Sequence, residues 1–328
     1  MELITSREVF PQIIDDHKVV KSNMGTHFIK ANTKGVSLNH LKTDCVIPVF
    51  AKDNESTLSH FQFIDAVNNL VRQMFPSEII SKPEIRVSHE VKGRTPDAIG
   101  IPAKELKEHQ KTIYYERMAF VIEIPSITEI VNKNQLSLSI GGVRSYNEQN
   151  LYGRKSLERF KLFIGFKNMV CLNLCVSSDG YADSIKVSTV SDLRQQVNSL
   201  FSTYNKERHL GMMEKLSKYE LNEKQFAHLM GKMRMYSNMP SQERSSLFHV
   251  GLNDSQVNHI VRDYYKCPNF SCDDNGNIGL WDLYNLFTEA NKSSYIDSNL
   301  ERNVNVYEFI HELGNSLEDN THNWFLPN

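Results

Sequence analysis

Residues 117–127, RMAFVIEIPSI, decide the fold class, because apolar and polar side chains alternate along them as they do along a β-strand. Phe120, Ile122 and Ile124 fall on one face of this strand, and Glu123 falls on the other. The neighbouring stretches with strand patterns are EIRVSHEV (84–91), LSLSI (136–140), FKLFIGF (160–166) and VCLNLCV (170–176). Only the residues KNM (167–169) separate FKLFIGF from VCLNLCV, which fits a hairpin, and this part of the chain, about 84–187, is predicted to form an antiparallel sheet.

Helical spacing replaces the alternation after Ser188, where Val190, Leu193, Val197 and Leu200 mark a helix. Further helices are predicted near 57–75, 280–290 and 304–317. Two other helix starts carry a capping box, in which an Asn side chain accepts from the backbone of a Gln three residues later and the Gln side chain reaches back. The two pairs are Asn222 with Gln225 and Asn253 with Gln256.

The order of these patterns predicts the α+β class, with an antiparallel, β-rich N-terminal part followed by a helical C-terminal part. We place the boundary after residue 187. The prediction is a β-rich α+β domain at 1–187 and a helical domain or subdomain at 188–328.

The charge balance argues against a surface that is basic as a whole. The 328 residues carry 37 Lys and Arg against 39 Asp and Glu, a net charge of −2, so a nucleic acid would need a local basic patch. The five cysteines are sparse and odd in number, which favours free thiols in a reducing compartment. No basic and apolar signal opens the sequence, and no run approaches the roughly 18 apolar residues of a membrane span. We therefore expect a cytoplasmic protein without a membrane partner.

Residues 141–163 form a local basic patch, because cations and aromatic rings interleave there and only two glutamates oppose them. Cations neutralise phosphates while rings stack on unpaired bases, so this connector predicts contact with single-stranded DNA. The alternative is a solvated hairpin whose rings pack on the sheet, and for this connector alone that alternative is favoured, because charged loops are common. The Gly141-Gly142 pair at its start predicts a bulge or bend. The candidate nucleic-acid-binding residues are Arg144, Tyr146, Tyr152, Arg154, Lys155, Arg159 and Lys161.

A second candidate anion site lies at Lys292, Ser293 and Ser294, between two predicted helices. A phosphate there would meet a helix N-terminus and an ammonium group. The competing interpretation is a helix junction, in which Ser294 and Asp297 form a capping box. Asp297 would also repel an anion, so the junction is favoured.

Three other patterns are compared with known chemistry and give no catalytic or metal residue. Asp97 and Glu105 have the order of a metal-dependent nuclease motif but sit in a polar, non-strand context. The stretch from Ser271 to Asp282 resembles a calcium loop with too few carboxylates, and an Asp-Asn-Gly turn explains it equally. The cysteines lack the close spacing of a zinc site. The sequence predicts neither a catalytic residue nor a cofactor.

Several stretches together resemble an uncharacterised bacterial family, a domain of unknown function. They include KDNESTLSHFQFI (52–64), LSLSIGGVRSYNEQNLY (136–152), LWDLYNLFTEANKSSYIDSNLERNVN (280–305) and NWFLPN (323–328). The resemblance covers the chain from about residue 26 to the end. The LSLSIGG strand and the FKLFIGFKNMVCLNL segment are more distantly similar to the phage/plasmid-like family. That likeness implies a mobile-element gene and DNA transactions. Gly141-Gly142-Val143 stands where that family has His-Asp-Gly, so no functional residue is carried over.

Three functional hypotheses follow from the sequence. The first is a non-enzymatic, mobile-element-type protein that contacts single-stranded DNA, with self-association left open. The second is a protein-interaction or inhibitor module, which a balanced charge and a helical C-terminal part favour. The third and weakest is a metal-dependent nuclease that uses Asp97 and Glu105.

Overall fold

The computed structural model describes residues 27–45, 58–146, 158–249 and 251–327. The strands are β1 (Lys34–Gly35), β2 (Glu84–Val87), β3 (Glu90–Arg94), β4 (Lys111–Tyr115), β5 (Arg117–Val131), β6 (Asn134–Ser145), β7 (Glu158–Asn168), β8 (Leu174–Cys175), β9 (Tyr181–Val187), β10 (Glu220–Leu221) and β11 (Ile278–Gly279). The α-helices are α1 (Leu38–Thr43), α2 (His60–Met74), α3 (Val190–Thr203), α4 (Lys206–Leu216), α5 (Glu223–Asn238), α6 (Ser241–Arg244), α7 (Asp254–Lys266), α8 (Leu280–Asn291) and α9 (Ile296–Asp319).

The main sheet is antiparallel, as the sequence predicts. Its described strands run in the order β1-β2-β5-β6-β7-β8, and β9 pairs with β7 on the same edge as β8. The register of β5 against β6 shifts between Ile124 and Thr128. The predicted α+β class is therefore confirmed, with the sheet in the N-terminal half and most of the helices after it.

One face of the sheet packs against α2 and α3 through Phe120, Ile122, Phe160 and other alternate strand residues. Of the bulge or bend predicted at Gly141-Gly142, the bulge is wrong, because β6 pairs with β7 continuously from Leu136 to Val143. The glycines instead leave room for neighbouring side chains and backbone to pack against β6. A Cβ on Gly142 would lie 2.7 Å from Cζ of Phe63, so α2 packs closely on the sheet only because that atom is missing.

The opposite face of the sheet has its own apolar cluster, built from Val121, Val143 and Phe163. Its cover comes from two distant segments, namely residues 28–29 and the first part of α9. From α9, the buried residues Ile296, Leu300 and Val304 pack into this cluster. The first face is likewise continuous with the helical part, since one apolar cluster contains Phe166 of β7 and Tyr307 of α9. The sheet and the later helices therefore share both cores.

Both predicted Asn–Gln capping boxes are confirmed. The Asn222 side chain accepts from the Gln225 backbone at 3.0 Å, and the Gln225 side chain accepts from the Asn222 backbone at 3.0 Å. Asn253 and Gln256 repeat this exchange at 2.9 and 3.0 Å. These bonds satisfy backbone N–H groups that the first turn of a helix leaves free.

We expect Asn253→Ala to lower the free energy of unfolding by about 1 kcal/mol, because the first turn of α7 loses its side-chain acceptor. Urea unfolding measures the change. Ser255→Ala, an exposed change in the same turn, is the control and should shift stability by less than about 0.5 kcal/mol. Equal losses in the two variants would contradict a capping role.

The capping box predicted at Ser294 and Asp297 is wrong. Helix α9 begins at Ile296 after Tyr295, well before the predicted start near residue 304, and no side chain caps it. The Ser294 hydroxyl donates to Asn291 Oδ1 at 2.7 Å and accepts from Gln256 and Arg302 at 2.9 Å each. It therefore ties α7, α8 and α9 together instead of closing a helix end.

Within the described ranges, no helix combines the length and the apolar character needed to cross a membrane.

Candidate nucleic-acid interface

Two exposed cations face each other across the edge of the sheet. Arg159 of β7 and Lys186 of β9 are paired in the register, and both side chains are exposed. Their sequence neighbours Phe160 and Ile185 belong to the first apolar core, so alternation turns the two cations to the opposite face. Neither forms an ion pair with any carboxylate in the described part of the chain.

Lys161 and Arg117 share that face, because they too alternate with residues of the first core. Lys161 Nζ donates to the Asp297 carbonyl at 2.7 Å and lies 3.9 Å from an oxygen of Asp183. Arg117 Nε donates to the Asp297 carboxylate at 3.0 Å, and its Nη1 lies 3.2 Å from Glu116. These two cations therefore hold the start of α9. We call Arg117, Arg159, Lys161 and Lys186 the basic face.

The sequence candidates Arg144 and Tyr146 lie elsewhere. Both are buried, and the Arg144 guanidinium sits 4.6 Å from the Tyr146 ring centre and 4.7 Å from that of Phe160. Its Nη1 donates to the Leu58 carbonyl. Burial, and then the nearby Arg144 charge, lowers the pKa of His60 to about 3. Arg144 therefore fastens α2 to the sheet, and its charge faces the interior.

The other candidates in this connector, Tyr152, Arg154 and Lys155, lie outside the described residues. In the sequence, the connector follows the end of β6 at Ser145, and β7 begins at Glu158, next to Arg159. It is therefore joined directly to the strand that carries the exposed part of the basic face.

Sequence reasoning missed Arg117 and Lys186. Each is an isolated cation in a strand pattern, and neither belongs to a charge run. Alternation alone gives their face, because each lies next to a core residue. The nearness of Lys186 to Arg159 depends on the pairing of β7 with β9, which shifts register between Phe160 and Leu162. A periodicity pattern does not contain that pairing.

The predicted phosphate site contains an internal ion pair. Lys292 is 1% exposed, and its Nζ lies 2.9 Å from Glu289 and donates to the Cys171 carbonyl. Glu289 also accepts from Lys30. Burial lowers the pKa of Lys292 despite the adjacent carboxylate. The Lys292 ammonium thus faces protein atoms, and Ser294 is buried as well.

The weaker candidates occupy ordinary surface turns. Asp97 and Glu105 are exposed and lie in two separate short 3₁₀ turns. In the calcium-like stretch, Asp273 Oδ1 accepts from the backbone of Asn275 at 2.9 Å and of Asn277 at 2.7 Å, and so closes a turn. Burial raises the pKa of Asp282 to about 6. Within the part of the chain that the structure describes, no three His, Cys, Asp or Glu residues are placed to hold a metal ion.

The fold and the basic face define an α+β protein whose second sheet face is partly basic. The chain belongs to the family described as "Domain of unknown function, B. Theta Gene description (DUF3871)", whose model matches residues 11–326. The near-full-length resemblance to a domain of unknown function is thereby confirmed. Comparison with curated proteins gave no match, and comparison with solved structures gave none.

Proposed function

We propose that the protein binds single-stranded DNA through the basic face and the adjoining connector 147–157, as a non-enzymatic protein of a mobile element. The observation that carries the proposal is the exposed pair of Arg159 and Lys186. Like charges directly opposite each other on a sheet are destabilising, and a bound polyanion would remove that cost. The described residues supply no carboxylate to do so.

The composition of the connector supports a single strand as the ligand. Tyr152 provides a ring for stacking, while Arg154 and Lys155 provide cations for the backbone. The basic face lies where this connector joins the sheet. The basic face and the connector can therefore contact the same DNA strand. The sequence stretches on either side of the connector resemble the phage/plasmid-like family, and membership of that family would favour DNA as the polymer.

Replacing Arg159 and Lys186 together with Ala should weaken binding of a labelled oligothymidylate roughly tenfold at low salt, because two phosphate contacts are lost. The slope of log affinity against log salt should fall by about 1.4, since each single-strand contact contributes about 0.7. Fluorescence anisotropy across a salt series measures both quantities.

The matched control is the double variant Arg194→Ala, Lys218→Ala, which removes two exposed cations from the helical part. It should retain the wild-type affinity and slope. A duplex of the same length should bind more weakly than the single strand. Failure of the wild type to bind at low salt, or an equal loss in the control, would overturn the proposal.

A further inference from the structure

A groove of about 330 Å³ runs between α5 and α7, far in sequence from the basic face. One wall is α5, with Ala227 and Gly231, and the other is α7, with Val261 and Tyr265. The Tyr265 side chain is 61% exposed although it is large and aromatic. Exposed rings of this kind are enriched where proteins contact each other.

The α5 wall is open at its centre. Ala227 and Gly231 are exposed, four residues apart on one helix face, and a Cβ built on Gly231 meets no atom within 4 Å. Glycine makes a helix less stable than alanine does at the same position. A second helix could therefore approach the α5 backbone closely at this point.

Opposite charges stand at the two ends of this face. Glu223 precedes the small residues and Arg234 follows them, and both belong to the groove lining. They are eleven positions apart, about 16 Å along the axis and close to three full turns, so they share one face. Glu223 accepts from the Tyr265 hydroxyl at 2.8 Å, and Arg234 donates to Asn258, so both side chains are held at the groove rim.

We propose that the groove binds the α5 helix of a second copy of this chain, in an antiparallel, two-fold arrangement. In that orientation Glu223 faces the partner subunit's Arg234, and Arg234 faces the partner subunit's Glu223. The small residues then meet near the axis. A parallel arrangement in register would place like charges together, so the charges select the antiparallel two-fold dimer, whose interface is self-complementary. This assembly does not depend on DNA binding.

Charge reversal tests the pairing. Arg234→Glu and Glu223→Arg each put like charges together at both ends of the interface, so each should weaken dimerisation at least tenfold. The double reversal Glu223→Arg, Arg234→Glu restores opposite charges and should restore the dimer. Sedimentation of the full chain over a concentration series, without nucleic acid, follows the mass between 37.8 kDa and twice that value.

Two helical glycines that each have free space around a built Cβ give a matched steric test. Gly231→Leu fills the centre of the groove and should abolish the dimer. Gly211→Leu in α4 is the control, because Gly211 is also exposed and also has no atom within 4 Å of a built Cβ. Thermal melts confirm that all variants fold.

A monomeric wild type at every concentration would overturn the proposal. So would association that persists in both single reversals, a double reversal that stays monomeric while folded, or equal effects of Gly231→Leu and Gly211→Leu.

Discussion

Acidification from pH 7.5 to pH 5 should lower the free energy of unfolding by several kcal/mol. His60, His209 and His311 are each at most 5% exposed. Burial lowers the pKa of His60 and His209 to about 3 and that of His311 to about 4. The folded protein keeps all three neutral, while the unfolded chain protonates them near pH 6.5.

The direction of the effect follows from proton linkage. The contribution of the three histidines to the free energy of unfolding is fully present above pH 6.5. It is lost as the pH falls toward the folded pKa values, because only the unfolded chain then binds the protons. Each histidine contributes about 1.4 kcal/mol per pH unit in this window, so the slope near pH 5 should approach about 4 kcal/mol per unit.

His311→Phe isolates one contribution. The Nε2 atom of His311 has no hydrogen-bond partner in the described structure, and its ring centre lies 4.3 Å from that of Tyr307, so a phenyl ring preserves the packing. The slope near pH 5 should drop by about one third. His89→Phe, an exposed change, should leave the slope unaltered. Urea unfolding of each protein over a pH series between 7.5 and 5 measures the slope. A free energy of unfolding of the wild type that does not change with pH would contradict the account.

Glu289→Leu should cost about 3–5 kcal/mol of unfolding free energy, because it leaves the ammonium of Lys292 buried without its carboxylate. Lys30 also contacts Glu289, but its side chain is 39% exposed and can be hydrated. Lys30→Met should therefore cost less than about 1 kcal/mol.

The double variant Glu289→Leu, Lys292→Met separates loss of the ion pair from loss of packing. It removes both buried charges, so most of the stability should return relative to Glu289→Leu. Chemical unfolding at neutral pH measures all four proteins. A double variant as unstable as Glu289→Leu would show that packing, and not the uncompensated ammonium, sets the cost.

The patterns that predicted the fold are local and apolar. Alternation identified β5, β6 and β7, and the Asn–Gln spacing located the starts of α5 and α7. Apolar spacing alone placed the start of α9 near residue 304, because buried polar side chains interrupt it. The helix junction predicted at Ser294 lies close to the observed start at Ile296. Asn299 and Asn303 are buried. The Asn299 side chain donates to the Asn291 carbonyl, and the Asn291 side chain donates to the Asn299 carbonyl. Such amides look like surface residues until their partners on another helix are known.

The candidate site was predictable only in part for the same reason. A charge pattern in the sequence includes Arg144 as a surface cation. In the structure it is buried beneath α2, where its guanidinium contacts two aromatic rings and donates to a carbonyl. Arg159 is exposed as a surface cation should be, but its neighbour Lys186 is 27 positions away and is brought close by strand pairing. A run of charges in the sequence shows only where cations cluster along the chain. Which cations form one surface depends on the register in which the β-strands pair.

The late position of α9 in the chain affects synthesis. The apolar surface formed by Val121, Val143 and Phe163 can assemble once β9 has emerged, but its cover ends only at Val304. At 5–20 residues per second a ribosome needs about 6 to 23 s to make the intervening segment. During that interval the nascent sheet lacks the part of its apolar cover that α9 provides, and transiently exposed apolar surface of this kind is prone to aggregation.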